Sequence, residues 1–419
     1  MNHKTTDDLL PVTVPPLAFD VDARLQAIDH ASLNRYRLSR LRGELERLDY
    51  MGAVLSDPMN IHYATASRNM PIWTMHAPGR YAFVATDGPV VLFEFSACRN
   101  AMPRLEIVDE VRTGISTFYL FAGPRSNERA TEWTQQISDL VNQYGRRNRR
   151  LAIDRCEPWL ARQLLASCIE LFDAQEPLEQ ARRIKSPEEI ACLQLAMDVC
   201  DLGVSRMREA LHAGVTENQL WSVFHSTNIA HGGDFIECKL FASGPRTFPW
   251  FHECSNRTIE AGDLIAFDTD MIGPGGYLAD ISRSYLCPGR KPTANQGNLH
   301  ALAREQVFHN TRLIEPGLSF REFAEKSWRI PQRFYPNRYM VLVHGVGLTD
   351  EFPAVLCDGE QQQSGYDGIF EENMVVSVES YLGDADGGEG VKLEEQVLIT
   401  QKGAVAFSRN PLETSLEIK

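Results

Sequence analysis

The chain of 419 residues is too long for one ordinary core, and at roughly 150 residues per domain it predicts two or three units. Its hydrophobic fraction of 43% and charged fraction of 23% are typical of a globular protein and exclude a fibrous or disordered chain. The formal net charge of −14 argues against a nucleic-acid partner or an anionic membrane surface, because both require a basic face.

The sequence contains no pattern typical of export or membrane insertion. Residues 1–16 carry acidic residues and prolines rather than a basic stretch and an apolar core, so no signal peptide is predicted. No window approaches the roughly 18 to 20 apolar residues of a membrane span. The nine cysteines include no C-x-x-C pair, which favours free thiols in a reducing compartment. We therefore expect a soluble, cytoplasmic protein.

The first part of the chain predicts an extension and a small α/β domain. Residues 1–28 are rich in proline and lack periodicity, so they are assigned to an N-terminal extension. Residues 29–180 are expected to form a domain in which helices and strands alternate. Its predicted elements are helices at 33–48 and 131–144 and strands at 53–55, 81–84, 90–93 and 151–153.

A second domain is predicted over residues 181–419. Ser186 is expected to cap a helix from Pro187 to about residue 212, with Glu189 completing a capping box. Similar boxes follow Gly214 and Gly317, which indicates two related halves unless the boxes coincide by chance. The fold class is therefore α/β in the wider, α+β sense, with helix pairs beside a curved antiparallel sheet. The predicted strands are 264–268, 277–286, 341–343, 374–379 and 391–399.

Six side chains of the second domain are candidate metal ligands. Each lies in or beside an apolar run, where an ionised group is costly to bury unless a partner or a metal compensates it. Two of the aspartates are two residues apart and should project from one strand face, and a turn at 273–276 would bring a third beside them. Five carboxylates and one imidazole can share one or two divalent cations. The residues are Asp268, Asp270, Asp280, His344, Glu379 and Glu394.

Simpler explanations exist for some of these positions. The aspartates could form an acidic loop without a metal, and a lone histidine on an apolar strand is more often a core residue than a ligand. Glu379 and Glu394 are harder to explain, because glutamates among valines and leucines need a partner. Taken together, the six positions favour a cation site.

The order of these elements resembles the creatinase/prolidase/methionine-aminopeptidase superfamily. In its "pita-bread" fold, two aspartates, a histidine and two glutamates bind a dinuclear metal centre. The resemblance implies a creatinase-like N-terminal domain and a metal-binding C-terminal domain with a pseudo-two-fold repeat. It rests on residues 184–190, 268–280, 344–348, 378–379 and Glu394.

Three departures from the peptidases of this superfamily stand out. Those peptidases usually place a histidine where Trp250 follows the segment 243–249, and a second histidine near Asp350 and Glu351. Asp270 is a third aspartate in a segment that usually supplies two ligands. These departures put peptide hydrolysis in doubt.

At these positions the chain instead resembles one branch of the superfamily, the dimethylsulfoniopropionate (DMSP) lyases of the DddP type. Similar segments extend over most of the chain. This resemblance implies that all six candidates bind metal, iron being the commonest assignment, although zinc, manganese or cobalt suit the same ligands. Asp350 would be the catalytic base. Trp250, Tyr339 and Trp73 could face a sulfonium, because aromatic faces attract soft cations; the alternative is that they are core residues. A homodimer is also expected.

The resemblance therefore predicts a metal-dependent lyase that cleaves the zwitterion DMSP to dimethyl sulfide and acrylate by β-elimination. One alternative is a creatinase- or prolidase-like hydrolase acting on Xaa-Pro peptides or C–N bonds. Another is a non-catalytic interaction protein of the same fold. Such proteins generally lose metal ligands, whereas this sequence keeps the full set.

Overall fold

The computed structural model describes residues 20–101, 105–384, 387–412 and 416, in two compact units. The smaller unit spans Asp29–Arg182, and the larger one combines Met1–Ile28 with Arg183–Lys419. Residues 1–19 of the predicted extension lie outside the described residues. Its described end is helical rather than aperiodic, because Asp20 caps helix α1 (Val21–Gln26) by accepting a hydrogen bond from the Ala23 N–H.

Helices and strands alternate in the smaller unit. The elements are α2 (His30–Arg47), β1 (Gly52–Leu55), α3 (Pro58–Thr65), α4 (Pro71–His76), β2 (Tyr81–Ala85), β3 (Val90–Glu94), β4 (Glu110–Thr113), α5 (Tyr119–Ala122), α6 (Ser126–Tyr144), β5 (Arg150–Ile153), α7 (Pro158–Ala166), β6 (Glu170–Asp173) and α8 (Gln175–Arg182). The mixed sheet has the order β4-β3-β2-β1-β5-β6, in which β2 is antiparallel to both β1 and β3 and the other pairs are parallel. The apolar face of α6 belongs to the same buried cluster as the strands β2 and β3.

The larger unit contains two sets of helices followed by antiparallel strands. Capping boxes begin four of the described helices, at Ser186, Thr216, Thr293 and Ser319. The boxes at Ser186, Thr216 and Ser319 were predicted from the sequence. The elements are α9 (Pro187–Ala210), α10 (Glu217–Ala230), β7 (Phe235–Ile236), β8 (Phe241–Ser243), β9 (Leu264–Asp268), β10 (Met271–Ile272), β11 (Leu278–Ala279), β12 (Ser282–Leu286), α11 (Ala294–Leu313), α12 (Phe320–Lys326), β13 (Val341–Val346), β14 (Asp350–Leu356), α13 (Asp358–Ser364), β15 (Val375–Gly383), β16 (Gly390–Thr400) and β17 (Gly403–Ala406).

Three antiparallel sheets organise these strands, with the orders β11-β10-β7, β12-β9-β8 and β14-β13-β15-β16-β17. The helix pair α9 and α10 precedes the first two sheets, and α11 and α12 precede the third. None of the helices that the structure describes combines the length and apolarity that crossing a bilayer requires.

The predicted strand at 277–286 is interrupted. Between β11 and β12, the Asp280 N–H donates to Gln396 Oε1 (2.9 Å) and the Ile281 N–H donates to Thr269 Oγ1 (2.9 Å). Side chains therefore replace the strand ladder at this point, as buried backbone donors require. Asp280 consequently lies where the chain passes from one sheet to the next.

Candidate metal centre

The register of β15 and β16 puts two buried glutamates face to face. Glu379 is the direct cross-strand partner of Glu394, and the two side chains are 3% and 0% exposed. Like charges directly opposite each other destabilise a sheet, and burial removes the water that would screen them. This pair therefore requires a nearby cation.

Other candidate ligands join the pair from neighbouring strands. His344 lies on β13, which pairs with β15, and Asp268 ends β9, where Ser282 of β12 is its cross-strand partner. Among the residues that the structure describes, possible ligand atoms within 4.8 Å of one another form three sets. The sets are Asp268, Asp280 and Glu394; His344, Glu379 and Glu394; and Asp280, His344 and Asp350.

Asp270 lies beside these sets rather than in them. Strand β9 ends at Asp268, and Asp270 has a left-handed backbone with φ of 34°. The strand-face argument from the sequence is therefore wrong for Asp270, because alternation holds only within a strand. Its Oδ2 accepts a hydrogen bond from Cys238 Sγ at 2.6 Å. Burial, followed by the charge of Asp270, raises the pKa of that thiol.

A buried ammonium completes the set of charges. Lys392 is fully buried, and its Nζ lies 3.1 Å from Asp268 Oδ2, 2.6 Å from Glu379 Oε2 and 3.0 Å from Glu394 Oε2. The Ser282 hydroxyl bridges the same region, 2.8 Å from both Asp268 Oδ1 and Glu394 Oε2. One ammonium offsets only part of the charge of five carboxylates.

The pKa values reflect this excess of acid. Burial raises the pKa of Asp268 and of Asp280 well above their usual range, and the charge of Glu394 adds to the effect. Burial likewise raises the pKa of Asp270 to about 6. For Glu394 burial acts in the same direction, but Lys392 and His344 outweigh it and hold its pKa well below the usual range. When no metal cation is bound, these shifts make Asp268 and Asp280 easier to protonate than free aspartates.

The chemistry of the donors fits a divalent cation. Asp280 Oδ1 and Glu394 Oε1 are buried and have no hydrogen-bond partner among the described residues. Such oxygens are costly to bury unless something else compensates them. His344 Nε2 lies 3.4 to 3.5 Å from oxygens of Asp280, Glu379 and Glu394, so one small ion could reach the imidazole and the carboxylates together. A mixed carboxylate and imidazole set suits iron, zinc, manganese or cobalt.

Asp350 is the most open acid of the group. It begins β14, its side chain is 57% exposed, and its Oδ1 lies 3.3 Å from His344 Nδ1. Partial burial raises its pKa, and the opposing effect of His344 only reduces the shift. A carboxylate that is reachable from solvent and adjacent to a polar centre can accept a proton from a bound molecule.

The predicted aromatic residues are divided between the two units. Trp250 and Tyr339 lie beside the centre, since Lys392 Nζ is 5.6 Å from the centroid of each ring. Trp250 is mostly buried and packs on Tyr381 at 5.8 Å between centroids. Trp73 belongs to α4 of the smaller unit, where it is 43% exposed and contacts Phe121 edge to face.

The sequence-based prediction omits three side chains of this region: Lys392, Ser282 and Cys238. Lys392 could have been found, because alternation puts it on the strand face of Glu394 in β16. Ser282 could not be found in this way, because Asp280 lies outside β12 and Ser282 reaches Asp268 through strand pairing. No pattern in the sequence points to Cys238, which meets Asp270 only through the tertiary fold.

Comparison with known proteins defines the class to which this fold and centre belong. The family model for metallopeptidase family M24 matches residues 191–401. The Xaa-Pro dipeptidase of Bacillus anthracis superposes with a TM-score of 0.72 at 18% identity, over 91% of this chain and 99% of that one. The prolidase of Pyrococcus horikoshii gives 0.70 at 19% identity, over 90% and 99%. These structures share the pita-bread fold with this chain.

More similar sequences narrow the class. The chain is 36% identical to the dimethylsulfoniopropionate lyase DddP of Roseovarius nubinhibens, over 99% of this chain and 95% of the relative. It is 34% identical to DddP of Roseobacter denitrificans, over 94% and 89%. The chain therefore belongs to metallopeptidase family M24 and, within it, to the family of the DddP lyases. The peptidase-family resemblance of the sequence is confirmed, and so is its DddP branch.

Proposed function

We propose that this protein is a metal-dependent carbon–sulfur lyase that cleaves DMSP to dimethyl sulfide and acrylate. The observation that carries the proposal is the similarity to two DddP lyases over nearly the whole chain. The buried acidic centre supports it, because its side chains could hold a metal ion that binds the substrate carboxylate, and the accessible acid Asp350 lies beside it.

We propose that Asp268, Asp270, Asp280, His344, Glu379 and Glu394 hold the metal, as a dinuclear site with iron as the physiological ion. When bound, the metal would act as a Lewis acid toward the substrate carboxylate and stabilise negative charge that develops at Cα. The orphaned oxygens of Asp280 and Glu394 support this assignment. The five carboxylates carry more negative charge than Lys392 and one divalent ion can neutralise together, which supports a site for two ions.

Asp350 is the proposed base. Its carboxylate would accept the proton from Cα of DMSP, and the electron pair of that C–H bond would form the Cα–Cβ double bond. The Cβ–S bond then breaks, and its electrons leave on neutral dimethyl sulfide. Partial burial raises the pKa of Asp350, which strengthens its ionised form as a base.

The rings of Trp250 and Tyr339 are proposed to hold the sulfonium. Both rings already face one cation, the ammonium of Lys392 at 5.6 Å. An aromatic face contributes roughly 0.5 to 2 kcal/mol to binding a desolvated cation. The sulfonium would approach these rings from the side away from Lys392, since like charges repel.

Homodimerisation is proposed from an apolar patch on the smaller unit. The exposed residues of this patch lie on or beside α4 and α5, whose Trp73 and Phe121 rings are 6.3 Å apart. Contiguous exposed apolar side chains of this kind mark interaction surfaces. Trp73 would then contribute to substrate binding through the dimer. The patch contains Met70, Ile72, Trp73, Met75, Tyr119, Leu120 and Phe121.

Sedimentation should test the dimer. The wild type is expected at twice the chain mass of 47.2 kDa, and a Trp73→Asp, Phe121→Asp double variant at the chain mass. A wild type that sediments as a monomer at micromolar concentration would overturn the proposal.

A cytoplasmic location is also proposed, because the cysteines are free thiols, and cell fractionation would test it.

Substrate specificity tests the function. Purified, metal-replete protein is incubated separately with DMSP, a Gly-Pro dipeptide and creatine. Dimethyl sulfide in the headspace is expected from DMSP alone, with no hydrolysis of the other two compounds. Hydrolysis of Gly-Pro or creatine without release of dimethyl sulfide would replace the lyase by a hydrolase of the same fold.

A further inference from the structure

A short segment before β8 holds the turn that carries Asp268 and Asp270. Strand β7 pairs with β10, and beyond that pairing the Glu237 N–H donates to the Asp270 carbonyl at 3.0 Å. Two residues past Cys238, the Leu240 carbonyl accepts from the Asp268 N–H at 2.9 Å. The segment 237–240 therefore fixes the backbone of both aspartates.

Cys238 lies between these two backbone contacts, and its thiol reaches the side chain of Asp270. The Sγ to Oδ2 distance is 2.6 Å. Asp270 has a φ of 34°, a left-handed backbone that aspartate adopts more readily than most residues but that contacts with its surroundings hold in place. The backbone hydrogen bond from Glu237 and the thiol of Cys238 together supply that restraint.

We propose that Cys238 is a positioning residue that orients Asp270 as a metal ligand. The proposal deepens the proposed function, since it rests on the metal centre assigned there. A thiol engages one oxygen of the Asp270 carboxylate and carries no charge. The carboxylate therefore keeps its formal negative charge, whereas Lys392 offsets part of the charge of Asp268, Glu379 and Glu394.

The choice of a neutral donor has a functional consequence. Groups that hydrogen-bond a metal ligand fix its orientation, and losing one typically weakens metal affinity or activity by about 10- to 100-fold. Cys238→Ala removes the donor, while Cys238→Ser keeps a neutral donor at the same position. Cys287→Ala provides a control, because Cys287 is a buried thiol of the larger unit whose Sγ donates to the Pro288 carbonyl at 3.8 Å rather than to a candidate ligand.

The experiment is a calorimetric titration of the full-length, chelator-treated protein with manganese(II). Cys238→Ala is expected to bind manganese about 10- to 100-fold more weakly than wild type, with Cys238→Ser and Cys287→Ala within about 3-fold of it. Cys238→Ala should also need more manganese for half-maximal DMSP cleavage, with kcat recovering at saturating metal.

Several results would overturn the role of Cys238. These are wild-type affinity in Cys238→Ala, a Cys238→Ser variant no better than Cys238→Ala, or no manganese binding by wild type. If circular dichroism shows that Cys238→Ala does not fold, Cys238→Ser decides: near-wild-type affinity supports the role, and a loss of about 10-fold contradicts it. If Cys238→Ala weakens manganese binding but wild type does not cleave DMSP, only the proposed function fails.

Discussion

Asp350 is the residue that we expect to separate a lyase from a peptidase on this framework. It is the most exposed acid of the group, 57% exposed, yet it lies 3.3 Å from the buried His344. A base in this position removes a proton directly and needs no activated water. The sequence alone pointed to this residue through the resemblance to the DddP branch, and its role stays a prediction.

Replacing Asp350 by asparagine should remove the base while preserving shape. The turnover of DMSP is expected to fall by about 10²- to 10⁴-fold, the usual contribution of a general base. Metal content, measured by elemental analysis, should remain that of wild type. Asp87→Asn, at an exposed turn, serves as the control. A variant that keeps its turnover, or that loses metal together with activity, would contradict the assignment.

His62 predicts a pH dependence of stability in the smaller unit. It is buried on α3, and burial, together with the charges of Arg37 and Arg68, lowers its pKa well below the usual range. The folded chain keeps His62 neutral, whereas the unfolded chain binds a proton below about pH 6.5. Stability is therefore full above that pH and is lost as the pH falls below it.

Urea denaturation of wild type and His62→Leu measures this effect. Between about pH 7.5 and about pH 5, wild type should lose unfolding free energy relative to the variant, approaching about 1.4 kcal/mol per pH unit below pH 6.5. The Leu variant has no titrating group at this position. A difference between the two proteins that stays constant over this range would contradict the account.

Asp270 marks the limit of reasoning from residue patterns. Strand alternation predicted that its side chain shares a face with Asp268, but β9 ends at Asp268 and Asp270 is left-handed. Aspartate tolerates helical, extended and left-handed backbones, so its conformation follows from the turn around it. The contact with Cys238 is equally invisible in the sequence, because the two residues meet through long-range strand pairing.

At the scale of elements, alternation within long strands was the most informative signal. Glu379 and Glu394 lie in β15 and β16, each at least nine residues long, and their apolar neighbours indicated burial. The same rule puts Lys392 on the strand face of Glu394. That Glu379 lies opposite Glu394 follows only from the register in which β15 pairs with β16. The strand predicted at 277–286 failed at Asp280, because side chains of Gln396 and Thr269 replace the ladder there.

Lys392→Met tests the electrostatic role of β16. Removing a buried ammonium from three carboxylates should destabilise the metal-free protein by about 3 to 5 kcal/mol, because the remaining charges are left uncompensated. Manganese should recover much of the loss. Thermal unfolding with and without manganese measures both effects, and Lys402→Met, on the surface, is the control. Metal-free Lys392→Met as stable as wild type would show that the ammonium is not needed.

At the scale of the whole molecule, the sequence predicted the class of fold better than the pairing of its strands. Helix caps and strand runs indicated helix pairs with antiparallel strands, and the ordered motifs pointed to the pita-bread fold that the comparisons confirm. The turn at 273–276 was predicted to return the chain beside β9, and β12 pairs with β9. The pairings of β8 with β9 and of β13 with β15 could not be read, because they join segments more distant in sequence. The electrostatic environment of the centre depends on those pairings.

The central claim is that the acidic centre cleaves DMSP only with a divalent metal bound. The most direct measurement follows DMSP by proton magnetic resonance with protein treated with a chelator, dialysed, and then supplied with iron(II) under anaerobic conditions. Equal amounts of acrylate and dimethyl sulfide are predicted from the metal-restored protein, with almost none from the metal-free protein. Undiminished cleavage after metal removal, or no cleavage after metal is restored, would contradict the account.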